Sequence, residues 1–215
     1  MKKVLGYFCV FAVCLAWAGA QEAKLEQIKL PSPQLDKGRP LMQVLKNRQS
    51  QRNFAPDKLP LQELGNLLWA ARGINRPESG KLTAPTAVNW QEIDVYVALP
   101  EGLYLYDAKE HALHPVTAGD LRPFAGKQKY VQTAPAVLVY TADFDRMAKA
   151  PEESRKFYSA TDTGFISQNV YLYCASENLA TVVAGMVDKD LLKAKMNLRP
   201  DQHVILVQPV GYPAK

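Results

Sequence analysis

Arg48-Gln49-Ser50-Gln51-Arg52 is the segment best equipped to do chemistry. In an extended chain alternate residues share a side, which puts Arg48, Ser50 and Arg52 together. Two guanidiniums offer planar donor forks, and the hydroxyl between them adds a further donor. That set suits the clustered oxygens of a phosphate. Taken alone, the same residues also describe a solvated basic loop after a helix, because short basic motifs are common. Other chemistries have less to stand on. No G-x-S-x-G, H-E-x-x-H or G-x-G-x-x-G run is present, so a nucleophile elbow, a zinc-protease helix and a Rossmann loop are not indicated. His111, His114 and His203 form no metal-ligand pattern with carboxylates. Cys174 reads as a small core residue. Tyr104, Tyr106, Tyr171 and Tyr173 read as packing, and Asp143, Asp145, Glu152 and Glu153 as a solvated acidic stretch.

These residues need a scaffold. Leu41, Val44 and Leu45 predict a short helix over 41–46 that runs into the basic motif. Pro60 suits the first turn of a second helix, with Leu61, Leu64, Leu67, Leu68 and Ala71 on one face and Gly73 at its end. Residues 79–90 read as a loop holding Pro85, Thr86 and Asn89. Ile93 to Leu99 alternates as a strand, and Leu103 to Tyr106 and Ala112 to Val116 continue it as a meander. A helical turn over 127–133 and a buried strand over 136–141 follow. The longest helical pattern covers 152–179, with Phe157, Ile166, Val170 and Tyr173 predicted to form a buried stripe. An apolar run over 180–186, a helix over 189–196 and a strand over 204–210 complete the chain. Strands interleaved with helices and hairpins give an α+β class with a mixed sheet.

The chain has 215 residues, a formal charge of +5 and 47% hydrophobic residues, enough for one domain with a real core. Lys2 and Lys3, the apolar run from Val4 to Trp17 and Ala18-Gly19-Ala20 form a secretory signal pattern, with cleavage expected after Ala20. Removal of residues 1–20 lowers the charge to +3 and leaves Cys174 as the only cysteine. A periplasmic or secreted protein with no intramolecular disulfide is therefore expected. No second apolar run reaches spanning length, so no membrane span is expected in the mature chain. The remaining basic residues are scattered, which argues against nucleic acid as a partner. Residues 21–40 read as an extended arm and 41–215 as one domain.

The order of motifs resembles the nitroreductase family of flavin enzymes, nearest to the branch of dehydrogenases that oxidise azoline rings in modified peptides. Arg48, Ser50, Arg52 and Phe54 match its opening motif. Pro85-Thr86-Ala87-Val88-Asn89 matches the loop before a strand, and Gly164, Gln168 and Asn169 match the long helix. Val182-Val183-Ala184-Gly185 and Gly211-Tyr212-Pro213 match the closing segments. The resemblance implies a three-layer α-β-α fold with a mixed, mainly antiparallel sheet, and a homodimer with FMN at its interface. It implies Arg48 and Ser50 on the FMN phosphate and Arg52 near the pyrimidine edge, where a cation stabilises charge developing on reduction. It places Asn89 on the flavin or ribityl chain, with Pro85, Thr86 and Gln168 in the same binding set. It aims backbone N–H groups around Ala184 and Gly185 at N5 and O4 of the ring. The chain ends Ala214-Lys215, so Lys215 is the base left to complete the phosphate site, with Lys46 as a further candidate. The function implied is that of an exported FMN-dependent oxidoreductase passing electrons between a small-molecule donor and acceptor. No side chain is expected as a catalytic acid or base, and no metal is expected. The alternative is a non-catalytic flavin-binding or scavenging protein.

Overall fold

A computed structural model describes residues 25–214. The expected signal segment and Lys215 lie outside the described residues. The central sheet has seven strands in the order β1-β6-β5-β4-β7-β9-β8. These are β1 (Ile28–Lys29), β4 (Ile93–Leu99), β5 (Gly102–Asp107), β6 (Ala112–Ala118), β7 (Ala136–Asp143), β8 (Ala180–Thr181) and β9 (Gln202–Gly211). Every pairing among them is antiparallel. A separate hairpin joins β2 (Ile74–Arg76) to β3 (Lys81–Leu82).

Helices cover both faces. On one side lie α2 (Leu61–Arg72) and α4 (Glu152–Glu177); on the other lie α3 (Lys129–Gln132) and α5 (Lys189–Lys195). The strand period explains the two cores. Ile93, Val95 and Val97 of β4 pack with Leu64, Leu67, Leu68, Ile166 and Val170. Tyr96 and Ala98, which point the other way, pack with Val131, Leu192 and Met196. Burial of each such leucine or isoleucine is worth about 1.5–3 kcal/mol. This is the three-layer α-β-α arrangement.

α2 obeys its sequence signals, starting after Pro60 and ending at Gly73. α4 runs unbroken through Thr163-Gly164 for 26 residues. Its buried stripe is Ser159, Asp162, Thr163, Ile166, Ser167, Val170 and Cys174. Phe157, expected inside, is 63% exposed. It lies in the second turn of the helix, where the described residues leave it uncovered. Asp143 also departs from expectation. It is buried, and Arg146 and Arg199 both pair with it.

Candidate functional site

The basic motif leaves α1 (Leu41–Asn47) as extended chain. It is threaded between β8 and the C-terminal segment. Gln51 N–H donates to Thr181 O at 2.9 Å, Ala55 N–H to Tyr212 O at 2.8 Å, and Ala214 N–H to Asn53 O at 3.1 Å. The organising side chain is Tyr171 of α4. Its hydroxyl accepts the Val183 N–H at 2.8 Å and shares a hydrogen bond with Ser50 Oγ at 3.0 Å. The Arg48 guanidinium lies over its ring, 5.3 Å from the centroid, a cation–π contact worth about 0.5–1 kcal/mol. Asn178 makes this possible. It ends α4 in the left-handed conformation at φ 59° and turns the chain directly into β8 beside Tyr171.

Beside Tyr171 is a cleft of about 470 Å³, lined by Lys46, Arg48, Gln51, Asn178 and Thr181 among others. Arg48 and Lys46 give it two cations, and Ser50 stands at Tyr171. Two cations at a cleft suit a phosphate. Of the expected three-residue face only Arg48 lines the cleft; Ser50 and Arg52 do not, and Ser50 is tied to it through its hydrogen bond to Tyr171. Tyr171 was expected to pack only. A tyrosine on an amphipathic helix carries no sequence signal that its hydroxyl will bridge two distant segments.

The second group of expected residues is the Pro85–Gln91 turn. Val88, Asn89 and Gln91 have φ of 41°, 60° and 51°. Such conformations cost non-glycine residues on the order of 1–3 kcal/mol each and persist only where surroundings enforce them. Here they are enforced. Asp162 Oδ2 accepts the Ala87 N–H at 2.9 Å, and Thr86 Oγ1 accepts the Gln91 N–H at 3.0 Å. Gln91 Nε2 donates to Gly80 O and to Asn89 Oδ1. Gln91 O accepts from Arg72 at 2.9 Å and from Arg146 at 2.8 Å. Arg146 is itself fixed by both oxygens of Asp94, at 2.9 and 2.7 Å. The turn thus presents Asn89 and an 80% exposed Val88 outward on a rigid base.

The base is electrostatically unusual. Burial depresses the Arg72 guanidinium below its ordinary value, and neighbouring Arg146 adds to this. Burial pushes the Glu92 carboxyl up to about 7, with the charge of Asp162 contributing. Burial raises Asp162 as well, against the lowering effect of the Ala87 N–H.

α4 spans the two groups. Asp162 and Tyr171 are nine residues apart, about 14 Å at 1.5 Å per residue. Gln168 is exposed one turn before Tyr171, on the same side of the helix. Asn169, by contrast, ties α4 to α2 by donating to Ala70 O. One expectation needs correction. The Ala184 N–H is not free to meet a ligand, because it donates to Val207 O at 2.8 Å in an isolated antiparallel bridge. Gly185 is exposed, and a Cβ there would find only Leu206 Cδ2, at 3.5 Å. Its backbone is therefore open to close approach.

Residues 45–212 match the family model described as the nitroreductase family. A nitroreductase homologue from Methanocaldococcus jannaschii is 29% identical over 181 residues, covering 80% of this chain and 90% of that protein. A crystal structure of a nitroreductase homologue from Ralstonia eutropha is 41% identical, covers 100% of this chain and 98% of its own, and superposes with a TM-score of 0.86. The NADPH:FMN oxidoreductase of Vibrio harveyi, complexed with NAD+, shares the fold at a TM-score of 0.61 and 20% identity, over 81% of this chain and 69% of that one.

Proposed function

The chain belongs to the nitroreductase family, and from that premise we propose that this oxidoreductase is an exported, FMN-dependent homodimer. The observation that carries the reading is the gathering of Arg48 and Ser50 by Tyr171 at a cleft that Lys46 also lines. The donor set fits the group. Two cations and a hydroxyl match a phosphate in number and type, and the backbone at Gly185 leaves room for a flat ring.

In this reading Arg48, Lys46 and Ser50 hold the phosphate. Arg52 supplies positive charge at the pyrimidine edge. Thr86 and Asn89 offer the turn's remaining polar atoms to the flavin or ribityl chain, and Pro85 limits that turn's freedom. Gln168 reaches the same region from α4. Bound there, FMN supplies two-electron redox chemistry, taking hydride equivalents from a donor and passing them to an acceptor. The protein's part is to bind, orient and exclude water; no side chain is asked to act as acid or base.

Exposed apolar side chains support a second copy as partner. Leu41, Met42 and Leu45 of α1 and Phe157 and Phe165 of α4 are uncovered in the protomer. Patches of this kind mark association surfaces. Export rests on the Lys2-to-Ala20 pattern. An exported enzyme works away from the cytoplasmic nicotinamide pool, so its electron donor is a different small molecule.

Turnover is the test. FMN-loaded protein reduced with dithionite is expected to be reoxidised by a quinone or a nitroaromatic faster than free reduced FMN is. Reoxidation no faster than free FMN would replace the enzyme with the flavin-binding reading.

A further inference from the structure

The Pro85–Gln91 turn is held against strain, and the group that holds its middle is half of an unusual pair. Glu92 is fully buried, yet among the described residues neither of its carboxyl oxygens meets a donor beyond its own backbone N–H. Its carboxyl faces that of Asp162, also buried. Asp162 in turn receives the Ala87 N–H of the turn at 2.9 Å.

We propose that Glu92 and Asp162 are positioning residues that share one proton, and that this proton clamps the Pro85–Gln91 turn onto α4. Two facing carboxylates repel. One proton between them converts the repulsion into an O–H···O bond and gives one of the two orphaned Glu92 oxygens a partner. The pair then stays in place and Asp162 keeps its grip on Ala87.

The surrounding charges define what happens when the proton leaves. From α2, Arg72 approaches Glu92; its Nη2 holds Gln91 O, and its buried Nε has no partner. From β4 comes Asp94, and from the turn after β7 comes Arg146, which is occupied by Asp94 and Asp143. Tyr106 of β5 stands near Arg72. Among the described residues Arg72 is the cation left to receive a Glu92 carboxylate, through its unpartnered Nε. Ionisation therefore drives Glu92 away from Asp162 and towards the arginine that also anchors Gln91. The turn feels the change at Ala87 and at its Gln91 end. The sign follows from the raised carboxyl. The clamp's contribution is complete below the ordinary glutamate value of 4.5 and is lost as pH rises through about 7.

The consequence for a cofactor rests on the assignment of Thr86 and Asn89 given above; the clamp itself does not. Trp90 lies within the strained segment, edge-on to Tyr158 at 5.7 Å. Fluorine NMR of protein labelled with 5-fluorotryptophan, with Trp90 assigned by Trp90→Phe, reads the turn directly and without flavin. The Trp90 resonance is expected to move in a single transition centred near pH 7. Glu92→Gln should abolish that transition, since its amide supplies the shared hydrogen at every pH. Asp162→Asn should do the same from the other side, which keeps the test decisive if one variant does not fold. A Trp90 resonance that stays flat in the wild type, or moves unchanged in the folded variants, overturns the clamp. FMN affinity followed over the same range separates the two readings. Failure to bind FMN at any pH would count against the cofactor assignment, while the Trp90 transition would still decide the clamp.

Discussion

Arg48→Ala is expected to weaken FMN binding by about ten- to hundredfold. Hydrogen bonds to charged groups are worth about 1.5–3 kcal/mol, and each 1.4 kcal/mol is about tenfold in affinity. Arg48 is only half-buried, and its one described side-chain contact is with the Tyr171 ring. Its removal should therefore leave the fold intact, so a loss of affinity reports the phosphate site and not a damaged scaffold. Arg48→Lys keeps the charge but loses the planar fork, and should recover part of the loss. Quenching of flavin fluorescence on titration measures both. Unchanged affinity in folded Arg48→Ala would remove the phosphate assignment.

Arg146→Met is expected to destabilise the protein by about 3 kcal/mol. Breaking a buried ion pair by removing one partner costs about 3–5 kcal/mol, because the remaining charge stays buried. Here two carboxylates are affected. Asp94 loses both of its hydrogen bonds from Arg146, and Asp143 keeps Arg199 and the Asp145 N–H but loses one of its two cations. The Arg146 side chain is itself 36% exposed, so water can enter and offset part of the cost, which favours the lower end. For a chain of this size, that loss lowers Tm by roughly 6–12 °C. Gln91 O also loses one of its two guanidinium donors, so the strained turn should loosen. Thermal melts followed by circular dichroism measure the stability. An unchanged Tm would mean that Asp94 and Asp143 find compensation from water or from Arg199.

The parts of this fold legible in the sequence are those with long periodic signals. α2 is announced by Pro60, five apolar residues at helical spacing and Gly73, and it forms between Leu61 and Arg72. The β4–β6 meander follows from alternation and tight turns. Short pairings are different. β1 and the β2–β3 hairpin have two or three residues per strand, too few for a period to register, and tertiary contacts decide them. Phe157 shows a related limit, since hydrophobicity signals burial and yet this side chain stays exposed.

The candidate site divides in the same way. Arg48 and Ser50 are readable because their types and spacing carry a chemistry. Tyr171 is not, because its role depends on α4 and β8 meeting in space. Nor is the backbone of Val88, a β-branched residue at φ 41° held there by partners from α2, α4 and the segment after β7. The Glu92–Asp162 pair joins residues seventy positions apart. Asp143 looked solvated because acidic residues cluster there in sequence, while its partner Arg199 arrives from just before β9.

Titration of FMN into the purified protein bears most directly on the account that Arg48, Ser50 and Lys46 form a flavin-phosphate site in a nitroreductase-family fold. The account predicts a yellow protein, or saturable quenching of flavin fluorescence at one FMN per chain. A colourless protein that leaves flavin fluorescence unchanged at all concentrations would contradict it.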